Sequence, residues 1–360
     1  MGLKFRIESK KLNFLFEAGT SRGVLKEKLV WILNVSVKNN PLVIGIGEAG
    51  PLKGLSIDDI PDFEKHLIKE VKRFEKCAVP KTIEDVLELV KTIPSSLPSV
   101  KFGIETALLD LINGGVRKIF DNAFYAHGAG IQINGLVWMG KSELMQKRLS
   151  EKINSGFKCI KIKIGAIGFD KELELLTQAR AAFDVNELEL RVDANGAFSY
   201  EDAQPVLQEL KKINVHSIEQ PIKAGQRVLM AKLCRTTPVP IALDEELIGI
   251  NSYEDKKELL IQIKPQYIIL KPALLGGFNS CKEWIEIAES LNIGWWITSA
   301  LESNVGLNAI CQFASHLNVT LPQGLGTGNL YSNNIASPLE INGDIINYNH
   351  TKTWDALLNE

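Results

Sequence analysis

Two periodicities divide the chain. Up to about residue 50, apolar positions alternate with polar ones or run together, as in KFRIESKKLNFLF and LVWILNVSV, with the polar stretch EAGTSRGVLKEK between them. This pattern predicts β structure. From about 58 to 118 the apolar spacing lengthens to three or four, in IDDIPDFEKHLIKEVKRF, TIEDVLELVKTI and SVKFGIETALLDLI, with breaks at Pro80, Pro94 and Pro98. Helices follow from that spacing, and a strand block followed by a helix block predicts an α+β domain. Beyond about residue 125, short apolar runs (IQINGLV, CIKIKIG, LELRVDA, VHSIEQP, VPIALDE, YIILKPA, WWITSAL) alternate with amphipathic stretches such as KELELLTQARAAF, EDAQPVLQELKKI and NSCKEWIEIAESL. Repeated βα units predict a parallel sheet.

The apolar runs end on polar residues at a steady interval. Lys163, Asp193, Glu219, Asp244, Lys271 and Ser299 follow one another 25 to 30 residues apart. Seven or so units at that spacing fit a closed (β/α)₈-type barrel better than an open doubly wound sheet, and the C-terminal strand ends of such a barrel form the rim of its active site. A single polar residue after an apolar strand is ordinary. Three carboxylates on three successive strands, with lysines on both flanks, are not. Converging in one mouth, they cannot all stay ionised without a cation. The donors are oxygens, which selects a hard ion, with Mg²⁺ the usual partner and Mn²⁺ a substitute. His216 falls near the start of its strand, away from the rim, and His66, His127, His316 and His350 form no arrangement with one another.

The strand KCIKIKI carries two lysines on one face, because residues two apart share a side. Lys163 reads as a base and Lys161 as a neighbouring cation, which lowers the proton affinity of Lys163 by repulsion and holds a substrate carboxylate. The implied chemistry is proton abstraction next to a carboxylate, with cations stabilising the enediolate.

Composition narrows the function classes. Of the 360 residues, 45% are hydrophobic and 23% charged, as in ordinary globular proteins, and a net charge of −2 offers no attraction for nucleic acid or anionic membrane. The five cysteines are scattered without a CxxC, which points to reduced thiols. The first residues, MGLKFRIESKKLNF, carry charges where a signal peptide needs an apolar core, and no apolar run approaches the ~20 residues that span a bilayer. A cytoplasmic enzyme with a small-molecule carboxylate substrate is expected, with no nucleic-acid or membrane partner. Whether it is a monomer or a homo-oligomer is left open.

KIKIG, RVDANGAF, SIEQP, ALDEEL and LKPALLGG, in this order, resemble the enolase superfamily in its muconate-lactonizing-enzyme-like branch. The resemblance spans essentially the whole chain. It implies a (β/α)₇β TIM-like barrel over residues 123–329, an N-terminal α+β capping domain over 1–122, and a C-terminal segment, about 330–360, that packs back on the cap. It also implies that Asp193, Glu219 and Asp244 hold Mg²⁺, and that Lys163 and Lys271 are acid/base lysines on opposite faces of the substrate. Asn195 and Glu245 are neighbours in the same motifs. TSRGVLKEK, SALESNVGLNA and GLGTGNLY further resemble the o-succinylbenzoate synthases within that branch. That likeness implies syn elimination of water from a succinyl-bearing cyclohexadiene carboxylate in menaquinone biosynthesis. Lys163 would take the α-proton and assist the leaving hydroxyl, while Lys271 stays cationic. Thr20, Ser21 and Arg22 would close over the mouth, with Asn195, Ser299, Glu302 and Gly324 lining the substrate site.

Three other functions compete. A racemase of N-acylamino acids or an epimerase of dipeptides would use the same two lysines. A Schiff-base aldolase would use Lys271 as nucleophile without metal, and a non-catalytic barrel would need none of the polar positions that this chain retains. GIGEAG (45–50) matches a dinucleotide fingerprint in letters only, since Pro51 rather than a helix follows it, and a turn in the cap is expected there. GLGTG is likewise expected to be a turn, facing the barrel mouth. Of Trp295 and Trp296, at least one is expected in the core.

Overall fold

The computed structural model describes residues 2–20 and 23–355. The chain begins with three antiparallel strands, β1 (Leu3–Thr20), β2 (Gly23–Val37) and β3 (Asn40–Ala49), in the order β1-β2-β3. Three helices follow, α1 (Phe63–Phe74), α2 (Ile83–Lys91) and α3 (Pro98–Ile112). Thr82 opens α2 with a reciprocal capping box to Asp85. Helix α3 is buried along nearly its whole length, because β3 packs on one side of it and the second half of the chain on the other.

GIGEA of the GIGEAG motif lies in β3, which ends at Ala49, rather than in a turn. The glycines serve helix packing. A Cβ on Gly47 would fall 2.0 Å from the Gly103 carbonyl oxygen, and one on Gly45 2.2 Å from that of Ala107. Only glycine lets the strand approach α3 this closely.

The second half continues with α4 (Ala123–His127), β4 (Ile131–Gln132), β5 (Gly135–Val137), α5 (Ser142–Asn154), β6 (Cys159–Lys163), α6 (Phe169–Ala182), β7 (Glu189–Asp193), α7 (Tyr200–Lys212) and β8 (Ser217–Glu219). Then come α8 (Arg227–Thr236), β9 (Ile241–Leu243), α9 (Tyr253–Ile263), β10 (Tyr267–Leu270), α10 (Pro272–Leu275), α11 (Gly277–Ser290), β11 (Gly294–Ile297) and α12 (Asn304–His316). Strands β5 to β11 form one seven-stranded parallel sheet in sequence order. The predicted run IQINGLV is split, since β4 leaves the parallel sheet to pair with a C-terminal hairpin, β12 (Leu339–Asn342) and β13 (Ile345–Tyr348).

The sheet curls so that its two edges share a neighbour. Gly324 bridges Thr298 at the end of β11, and Gln323 bridges Ile133 just before β5. A Cβ on Gly324 would lie 2.1 Å from Thr298 Oγ1, so glycine is required there. The sheet interior is filled low down by Arg191, whose guanidinium stacks on Trp296 at 4.4 Å and donates to the Pro322 carbonyl. Trp296 is therefore core, while Trp295 is half-buried and donates to Glu289.

Two buried glutamates of the N-terminal region reach helices of the second half. Glu48 accepts the Ser303 and Gly306 N–H groups at the start of α12. Glu105 accepts those of Phe278 and Asn279 at the start of α11. Each meets amide donors that a helix N-terminus leaves unpaired. An aromatic cluster of Phe102, Phe120, Phe278 and Phe313 fills the space between. After residue 330 the chain runs against β1, with Leu15 N–H donating to Leu330 and Ser332 N–H to Asn13, before turning to β12 and β13.

Candidate active site

Side-by-side register puts the charged residues together. Lys163 pairs with Asp193, and Asp193 with Glu219, at the last positions of β6, β7 and β8. Asp244 and Lys271 directly follow β9 and β10. Lys161 is two residues back on the face of Lys163, level with Leu136 and Arg191. All these side chains are buried or nearly so. Lys161, Lys163, Asp193, Asn195 and Lys271 open into one cavity of about 410 Å³, walled also by Ser299, Gly324 and Thr327 and roofed by Phe16, Leu25, Leu52 and Leu55 of the N-terminal region.

Within the cluster each lysine meets a carboxylate. Lys161 Nζ lies 2.6 Å from Glu219 and 3.5 Å from Asp193. Lys163 Nζ is 2.7 Å from Asp193 and 2.7 Å from Asn195 Oδ1, and Lys271 pairs with Asp244. Asn195, at φ +43°, turns to receive Lys163 while its amide nitrogen donates to Glu245 at 3.1 Å. The sequence suggests two lysines that repel each other. In the structure the Asp193 carboxylate stands between them and offsets that repulsion.

The electrostatics follow from burial and neighbours. Burial acts against a charged Lys161, but Glu219 and Asp193 outweigh it and raise its pKa, so Lys161 stays an ammonium. Lys271 is raised in the same way, with Asp244 and Glu219 overcoming burial. Burial would raise Asp193, yet Lys163 and Lys161 hold it well below the usual carboxylate range. Glu219 moves the other way, to about 7, through burial and the charges of Asp193 and Asp244. Its second oxygen, Oε1, is buried and accepts no hydrogen bond.

The enolase C-terminal domain-like family matches residues 144–346. The o-succinylbenzoate synthase of Desulfotalea psychrophila is 41% identical, over 96% of this chain and 99% of that one. The chain belongs to the enolase superfamily. The crystal structure of MenC from D. psychrophila aligns with a TM-score of 0.85 at 38% identity, covering 96% of this chain and 100% of that chain. A dipeptide epimerase from Enterococcus faecalis, solved with Mg and L-Leu-L-Tyr, also reaches a TM-score of 0.85. It does so at 18% identity over 98% of each chain, which is a likeness of fold alone.

Enolase-superfamily sites generally combine a lysine or histidine base with one or two Mg²⁺ ions. Among the described residues, no group of three or more His, Cys, Asp or Glu is placed to hold a metal ion as it stands. In the cluster the Lys161 ammonium stands between Glu219 and Asp193. The donors nonetheless suit a hard cation. Asp193, Glu219 and Asp244 offer oxygen only, and the orphaned Glu219 Oε1 is a buried acceptor that a cation would satisfy.

The expected substrate residues separate into groups. Asn195, Ser299 and Gly324 line the cavity, and Ser299 Oγ is fixed by Thr327 Oγ1 at 2.6 Å. Glu302 does not line it. Its carboxylate turns back to accept the Ala300 N–H at 2.8 Å, and burial pushes its pKa up to about 7. Thr20 ends β1, and Ser21 and Arg22 lie outside the described residues. Sequence reasoning passed over the apolar roof, although Leu25 sits inside the quoted TSRGVLKEK stretch. It also passed over Lys28 of that stretch, which is buried and donates to the Ala300 carbonyl.

Proposed function

We propose that this chain is an o-succinylbenzoate synthase, a carbon–oxygen lyase that removes water in syn fashion from 2-succinyl-6-hydroxy-2,4-cyclohexadiene-1-carboxylate, in menaquinone biosynthesis. One observation carries the reading: the full-length likeness to the D. psychrophila synthase, at 41% identity. Three lysines entering one cavity, Lys161 and Lys163 from β6 and Lys271 from the end of β10, support it. The site roles belong to the same proposal. Asp193, Glu219 and Asp244 would hold Mg²⁺, or Mn²⁺ in its place, and the ion supplies positive charge beside the substrate carboxylate.

Lys163, once deprotonated, takes the proton from the ring carbon that bears the carboxylate. The electron pair enters the carboxylate as an enediolate, and Lys161 and Lys271 lie where cations stabilise it. Lys163, now an ammonium, returns its proton to the hydroxyl on the neighbouring carbon. That C–O bond breaks, water leaves from the same face, and the ring becomes aromatic. Asn195 fixes Lys163 for both transfers by accepting from its Nζ. The apolar roof excludes water from the cavity.

The curled sheet is read as a (β/α)₇β barrel closed through residues 323–324, with 1–122 as cap and 123–329 as barrel; residues just after 330 return to β1 of the cap, whereas the hairpin β12–β13 pairs with β4 of the barrel part. No described helix is long and apolar enough to cross a membrane, and a cytoplasmic location is part of this reading. The second reading is an N-acylamino acid racemase or dipeptide epimerase, which the same lysines entering one cavity would also serve. Dehydration of the diene by purified protein, with Mg²⁺ and with EDTA, beside N-succinylamino-acid racemisation, separates the two. Fast dehydration that EDTA abolishes supports the synthase, and fast racemisation with negligible dehydration overturns it.

A further inference from the structure

The turn after β11 forms part of the cavity wall through Ser299, Ala300 and Leu301. Leu301 sits at φ +63°, a left-handed conformation that is unfavourable for a residue with a side chain. Three side chains hold the turn there. Lys28 Nζ donates to the Ala300 carbonyl at 2.8 Å, the Tyr331 hydroxyl donates to the Leu301 carbonyl at 2.7 Å, and Glu302 accepts the Ala300 N–H at 2.8 Å. Of the three, only Lys28 comes from the N-terminal sheet.

Lys28 is an unusual choice for a mere strut. It is buried, and among the described residues no carboxylate comes within ion-pair distance. Burial lowers its pKa, with Glu302 and Glu48 opposing from further off. A lysine buried without an ion-pair partner is costly, and an apolar residue would fill the space more cheaply. What an apolar residue could not do is tie β2 to the turn. Leu25, three residues earlier on β2, lines the same cavity as that turn. The contact between Lys28 and Ala300 therefore fixes the roof against the wall.

We propose that Lys28 is a positioning residue that sets the width of the substrate cavity between roof and wall, and with it the fit of the acyl side chain of the cyclic carboxylate. The acyl assignment rests on the synthase reading, whereas the tie itself does not. The test uses the full-length Lys28→Met and Lys28→Arg variants, with Lys28→Gln should the methionine variant not fold. Backbone amide exchange is read over 299–303 against 189–193, and KM and kcat for dehydration are read with Mg²⁺ present. In Lys28→Met, exchange at 299–303 should quicken and KM should rise, each about tenfold for one lost hydrogen bond. Exchange at 189–193 should hold and kcat should stay within about threefold, with the arginine variant recovering most of the KM.

Unchanged exchange at 299–303 would overturn the tie. Quickened exchange with unchanged KM would overturn its role in substrate fit. If the wild type dehydrates nothing, the synthase reading falls instead. The KM comparison is then made on N-succinylamino-acid racemisation, and amide exchange still decides the tie.

Discussion

Two groups of buried carboxylates in this molecule are satisfied in opposite ways. At the strand ends, Asp193, Glu219 and Asp244 face the ammonium groups of Lys161, Lys163 and Lys271. At the seam between the two halves, Glu48 and Glu105 face backbone amides at the starts of α12 and α11. Glu105 and Glu219 both have pKa values raised to about 7. The causes differ: burial alone raises Glu105 against its amide donors, whereas like charges from Asp193 and Asp244 add to burial at Glu219. Backbone amides cannot move away, so the seam is fixed. Flexible lysine side chains can yield a carboxylate to an arriving cation or turn to a substrate, so the strand-end cluster can change partners. One region uses buried charge to join the two halves; the other holds the groups proposed to react.

Substitutions at the two ends should therefore fail differently. The largest effect is expected for Lys163→Ala, where turnover should fall by roughly 10²–10⁴-fold with unchanged circular dichroism, as loss of a general base does. Retention of most activity would remove Lys163 from that role. Next, Asp193→Asn should weaken Mg²⁺ affinity by about 100-fold or more, read by calorimetric titration. An unchanged isotherm would show that the ion binds elsewhere. Mg²⁺ at about 100 times its dissociation constant should add about 2.7 kcal/mol of unfolding free energy to the wild type, reversed by EDTA. The seam variants Glu105→Ala and Glu105→Gln should keep the Mg²⁺ isotherm.

The seam has its own signature. Glu105→Ala strands two buried helix-terminal amides and should cost about 1–3 kcal/mol in urea unfolding. Glu105→Gln keeps an acceptor and should cost less. The pH dependence has a definite sign. Because the folded-state pKa of Glu105 is raised from 4.5 to about 7, its contribution is fully present below pH 4.5 and is lost as pH rises through about 7. Wild-type stability should decline across that window relative to Glu105→Gln, by at most about 3 kcal/mol. Parallel pH curves for the two proteins would show that the carboxyl stays ionised.

Much of the site was legible because strands have a short, strict period. Once CIKIKIG, LELRVDA and SIEQP are read as parallel strands, Lys163, Asp193 and Glu219 must sit at the same level, and the structure places them in direct register. Misreadings arose where partners are far apart in sequence. Glu302 looks like a pocket residue from its motif, yet it turns back on the Ala300 amide. GIGEAG looks like a turn from its glycines, yet its GIGEA portion is strand, because α3 presses against it from more than fifty residues away. The apolar roof was missed because its side chains look like any other core.

The sequence alone determined the alternation of strand and helix, the polar strand ends and the chemical class of the cluster, because side-chain period and donor type are local properties. The tertiary structure decided which lysine meets which carboxylate, where Asn195 points, and how Lys28 reaches a carbonyl 272 residues away. Those outcomes depend on side-chain reach and on the docking of one half of the chain against the other. No stretch of sequence encodes such distances by itself, since they arise only when burial forces the two halves into contact.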